Sequence, residues 1–220
     1  MVFVALAYET FTGSLTPATF LTIVGFYVAT SGIITSFAVW TASEVGLPSL
    51  LVLSPLPARM RWIRWAVYGV GVGLLLCIGS IVLSGGDSVA LRPWFWRRIQ
   101  TPLGTALFSA RAALLEETFF RLFMIPFLVS IVVRLRPRKH RLRLQDGAAR
   151  VITTRPKPSR PTVAAAVLIS SVLFGLAHPF DPVPAMLLAP LLALSYLRGG
   201  WESAVTAHMI ANLIVFSVYF

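Results

Sequence analysis

Six side chains interrupt the apolar stretches of this 220-residue chain with groups able to move protons or donate hydrogen bonds: Glu116, Glu117, Arg121, His178, His208 and Asn212. Two carboxylates, two imidazoles and an amide suit a hydrolytic site, in which a base takes a proton from water and nearby donors hold the oxyanion that results. The surrounding sequence reads as lipid-embedded helix. There an ionisable group costs roughly 2.5–3.5 kcal/mol on insertion scales, so such residues persist when they face one another or a wet cavity.

Spacing separates their jobs. On a helix, residues i and i+4 share a face while neighbours point about 100° apart. Glu117 and Arg121 are therefore natural ion-pair partners. Glu116 has Phe120 at i+4 and no basic partner, which leaves its carboxylate free for proton transfer. His208 and Asn212 are also i, i+4, so an imidazole and an amide aim in one direction, a geometry fit to hold an oxyanion. His178 closes the segment Phe174-Gly175-Leu176-Ala177-His178. His140 sits in a basic stretch between Lys139 and Arg141 and belongs to no such grouping.

The elements that must carry these residues follow from composition. Hydrophobic residues make up 57% of the chain and charged ones 12%, against about a quarter charged in soluble domains. Mean hydropathy is +0.81. Charge-free runs cover Thr10–Ser43, Trp65–Gly86, Pro161–Phe180 and Ser203–Phe220, and about 20 residues of helix span a bilayer core. The pattern predicts an all-α polytopic membrane protein of about six transmembrane helices, in one membrane domain over 1–220. The expected helices run over about Pro17–Ser43, Trp65–Leu83, Pro102–Val133, Thr162–His178, Val183–Leu197 and Glu202 to the C-terminus. Pro126 is a candidate kink in the third. The first span, lacking a basic flank of the signal-peptide kind, is expected to be retained.

Between the spans, Gly85-Gly86-Asp87 marks a turn and Arg92–Arg98, rich in tryptophan, an interfacial anchor. Cys77 stands alone, which excludes an intramolecular disulfide. The net charge of +11 is concentrated: ten of nineteen Lys and Arg residues fall between Arg134 and Arg160. That placement argues for a cytoplasmic loop over 134–161, with anionic lipid as its partner rather than nucleic acid. The implied location is a prokaryotic inner membrane, with both termini outside.

Depth arithmetic adds a demand. Glu116 lies roughly 21 Å into its helix, near mid-membrane, while His208 is only about 10 Å past Gly200. They can meet His178 if the 179–182 turn is sunk in the protein beside a hydrated cavity between helices. Asp181 is read as shaping that turn.

Taken together, Glu116-Glu117-x-x-x-Arg121, Phe174-x-x-x-His178 and His208-x-x-x-Asn212 resemble the CPBP family of intramembrane proteases, which includes CAAX prenyl endopeptidases and bacteriocin-processing and abortive-infection types. All three motifs occur in family order over about 102–220. The resemblance implies a glutamate-dependent endopeptidase acting on a membrane-anchored protein or peptide, possibly near its C-terminus. Glu116 and His178 would activate water, His208 and Asn212 would hold the oxyanion, and Glu117 and Arg121 would support the site. No cofactor is expected. The minority alternative is a divalent metal such as zinc on Glu116, Glu117, His178 and His208, although no zincin-type paired-histidine motif is present. The alternative of another class is a non-catalytic scaffold or transporter subunit that uses the polar cluster for helix association or proton relay.

Overall fold

The computed structural model describes residues 32–48, 50, 54–84, 102–135, 139–145, 148–154, 157–178 and 182–218. The chain divides into two compact units, Met1–Phe37 and Ala38–Phe220. In the first, the described residues 32–37 are helical. In the second, six helical segments account for the apolar sequence. They are the end of α1 (residues 38–45), α2 (Ala58–Trp65, Ala66–Gly71 and Val72–Ser84), α3 (Pro102–Glu117, Thr118–Met124 and Ile125–Leu135), α4 (Arg160–Leu176), α5 (Pro182–Gly199) and α6 (Trp201–Val218). The expected helices after the first are all present: α2 starts seven residues early, at Ala58 rather than Trp65, and the other described ends lie within two residues of expectation. The Gly85–Asp87 turn, the 92–98 anchor and residues 179–181, with Asp181, lie outside the described residues.

Three of the helices, Ala58–Leu83, Pro102–Leu135 and Pro182–Gly199, are long and apolar enough to cross a membrane. Their outer faces carry large exposed apolar side chains such as Leu75, Ile78, Val82, Leu107 and Leu187, a surface suited to lipid rather than water. One departure from an all-helical chain occurs among the described residues. The basic 134–161 segment, expected as a loop, carries an antiparallel hairpin of β1 (Lys139–Gln145) and β2 (Ala148–Thr154), with Arg143 opposite Arg150. Its period-two run of charged and apolar residues, from Lys139 to Leu144, is strand patterning that the basic composition masks. His140 lies in β1.

Two helices change register in mid-course. Ala66–Gly71 in α2 and Thr118–Met124 in α3 are π-helical, a form found mostly as single turns near functional sites. In α3 the α register resumes at Ile125, and Pro126 has no N–H to give the carbonyl of Leu122. The register change thus sits where the sequence placed a kink. Each π stretch offers a carbonyl to a buried serine of another helix: Ser195 Oγ donates to Tyr68 O at 2.6 Å and Ser170 Oγ to Phe120 O at 2.7 Å.

Close backbone approach holds the bundle together, as expected where lipid replaces water as solvent. α6 packs against α2, α3 and α5, while α4 lies against α5 and the second half of α3. Gly69 and Gly73 of α2 meet Thr206, Ala207 and Ile210 of α6. Gly200, at φ 85°, makes the left-handed turn that ends α5 and starts α6. Ser159 caps α4 by accepting from the Thr162 N–H, with Pro161 in the first turn. A Cβ on Gly175 would sit 2.6 Å from the Pro182 carbonyl oxygen and 2.7 Å from Met186 Cβ. Gly175→Val is therefore expected to force α4 from α5 and cost about 1–3 kcal/mol, read as a lower unfolding midpoint in detergent; an unchanged midpoint would refute this packing.

Candidate active site

The centre of the site is an ion pair. Glu117 and Arg121, 0% and 1% exposed, face each other across the π stretch with Oε2 to Nε at 3.2 Å. The pairing read from i, i+4 spacing is present, and it is completely buried. Removal of two charges from solvent costs several kcal/mol each unless further partners satisfy them. Arg121 Nη2 donates to the Ala189 carbonyl at 3.3 Å, and its guanidinium lies 4.1 Å over the Phe174 ring, a favourable cation–π contact. His208 Nδ1 donates to Glu117 Oε1 at 2.8 Å. Four helices thereby meet at one buried pair.

Phe174 is the platform beneath the site. Its ring stands 4.4 Å from the His178 imidazole and 5.8 Å from that of His208, and it packs edge-on against Phe120. Its carbonyl accepts from His178 Nδ1 at 2.7 Å. A carbonyl can only accept, so the hydrogen of His178 is on Nδ1. The same logic places a hydrogen on His208 Nδ1, facing the Glu117 carboxylate. In both rings Nε2 is left for the reacting side.

Both Nε2 atoms face one oxygen, Glu116 Oε2: His178 at 3.3 Å and His208 at 3.8 Å. An imidazole lone pair and a carboxylate oxygen repel at such separations, so a proton lies between Glu116 and an imidazole, on one partner or the other. Oε2 makes no well-aligned hydrogen bond among the described residues. Glu116 and His178 are 30% and 32% exposed, whereas His208 is 7% exposed. One side of the cluster is sealed and the other is open. Asn212 is half-buried, one turn beyond His208 on α6.

With that geometry in view, residues 98–214 match the family model described as "Type II CAAX prenyl endopeptidase Rce1-like", more than half of the chain. The chain belongs to the Rce1-like family. No curated protein and no solved structure matches it. Membership agrees with the resemblance drawn from the motifs and places this Rce1-like chain in a protease family. All six motif residues fall inside the matched segment. The sequence reading did not foresee the Glu117–His208 bond, the Ala189 carbonyl or the role of Phe174 as platform. For Phe174 a signal existed, its i−4 relation to His178.

The donor types fit zinc, and with both Nδ1 atoms hydrogen-bonded it is Nε2 of each ring that would face an ion. Among the described residues no group of three or more His, Cys, Asp or Glu side chains is gathered closely enough to hold one.

Arg121→Met would leave the Glu117 carboxylate buried without its guanidinium. We expect a loss of about 3–5 kcal/mol, measured by chemical unfolding in detergent. A loss below about 1 kcal/mol would show that the pair is not the anchor described.

Proposed function

We propose that this Rce1-like chain hydrolyses a peptide bond of a membrane-anchored protein or peptide, near its C-terminus, with a water activated by Glu116 and His178. The observation that carries this reading is the convergence of two imidazole Nε2 atoms on the partly exposed Glu116 carboxylate. Glu116 takes a proton as the water oxygen bonds to the scissile carbonyl carbon. The carbonyl oxygen becomes an oxyanion, held by the Asn212 amide and by Nε2–H of a doubly protonated His208. Glu117, already accepting from Nδ1, balances that imidazolium. The proton then passes from Glu116, by way of His178, to the leaving nitrogen, and the C–N bond breaks to give a carboxylic acid and an amine.

In this mechanism the residues work without a metal, Glu116 serving as the base and the two imidazoles as its partners. We place the 134–160 segment on the cytoplasmic side, against anionic lipid headgroups. A basic surface there would favour substrates anchored in the same leaflet.

Glu116→Gln is expected to lower cleavage of a farnesylated CAAX peptide by about 10²–10⁴-fold while the protein stays folded and monodisperse. Retained cleavage would defeat the proposal and favour a scaffold or proton-relay role for the cluster. Activity should also survive dialysis against a strong chelator; loss that zinc alone restores would contradict metal-free water activation.

A further inference from the structure

We propose that Ser170 is a positioning residue for this site, setting the Glu116–His178 contact through the backbone of α3. The inference rests on the catalytic pairing above, and extends it to a residue outside the three motifs. Ser170 is 2% exposed and donates to Phe120 O at 2.7 Å. Phe120 lies in the π stretch, between Glu117 and Arg121 in sequence. A π turn is wider than an α turn and leaves its carbonyls open to donors from outside the helix. Ser170 is such a donor, reaching Phe120 O from a second helix.

What makes this more than a structural bond is where Ser170 sits on α4. Ser170 and Phe174 are spaced i, i+4 and share one face of α4, and His178 follows just past the C-terminal end of that helix, tied back to Phe174 through Nδ1. The first holds the α3 backbone. The second lies against Arg121 and gives its carbonyl to His178, and the third meets Glu116. The Ser170–Phe120 bond therefore fixes the axial register of α4 against α3, and with it the distance between Glu116 and His178. A chemically matched bond lies elsewhere: Ser195, also buried, donates to Tyr68 O in the π stretch of α2. Neither partner of that bond contacts Glu116 or His178 among the described hydrogen bonds and ion pairs. It is a control made by the protein itself.

The test reads the contact directly and needs no substrate. The chain has three histidines, so ¹⁵N-histidine labelling of the full chain in detergent micelles yields few imidazole signals, assignable by substitution. Glu116→Gln should displace the His178 Nε2 resonance. Ser170→Ala should move it most of the way to the same position, while Ser195→Ala leaves it at the wild-type position. If Ser170→Ala does not fold, Ser170→Thr and Ser170→Val form a pair of like shape, one with the donor and one without. The Thr variant should keep the wild-type resonance and the Val variant should lose it. A wild-type resonance in Ser170→Ala, or equal spectra for Thr and Val, overturns the role of Ser170 while leaving the pairing intact. An unmoved His178 resonance in Glu116→Gln overturns the pairing itself, and this inference with it.

Discussion

A salt bridge with almost no solvent exposure, Glu117 to Arg121, is the constraint on which this fold turns. Two ions in an apolar bundle are tolerable only if every remaining lone pair and N–H nearby is used or closely packed. The chain answers much of that demand with groups from three other helices: His208 from α6, the Ala189 carbonyl from α5 and the ring of Phe174 from α4. Loss of any one leaves charge exposed to hydrocarbon. The pair therefore acts less as a source of net stability than as a specification of how the four helices must meet.

The arrangement around Glu116 follows from that specification. Once Glu117 fixes His208 through Nδ1, the opposite nitrogen of the ring is aimed at Glu116. Once Phe174 is pinned by Arg121, its carbonyl and ring fix His178. Glu116 is then approached by two oriented imidazoles without making a tight bond to either. The tightly bonded groups lie on the sealed side, while the partly exposed Glu116 keeps a carboxylate oxygen without a well-aligned hydrogen bond. Adjacent glutamates point about 100° apart on a helix, which lets Glu116 and Glu117 serve these different sides.

Much of this was legible in the sequence where the contacts are local. The Glu117–Arg121 pair and the shared face of His208 and Asn212 follow from i, i+4 spacing, and the helix ends follow from Pro, Gly and charge. The Glu117–His208 bond was not legible, because it joins residues 91 apart and no periodicity reports on which faces of distant helices meet. The register change in α3 was half legible: Pro126 announced a disturbance, but a kink and a π stretch leave the same mark in sequence. Ser170 was hidden for another reason. A serine in a charge-free run reads as a neutral helix residue until a carbonyl across the interface gives it a partner. The hairpin of the basic segment was obscured by its own charge, which drew attention to topology and away from the alternation of Arg and Leu.

The central claim is that Glu116 and His178 hold the attacking water while His208 and Asn212 receive the oxyanion. A structure of the Glu116→Gln protein with an uncleaved prenylated peptide tests it most directly. The account predicts the scissile carbonyl oxygen about 3 Å from His208 Nε2 and the Asn212 amide, with a water between residue 116 and His178. A scissile bond seated elsewhere, or a metal ion ligated by His178 and His208 in that complex, would contradict it.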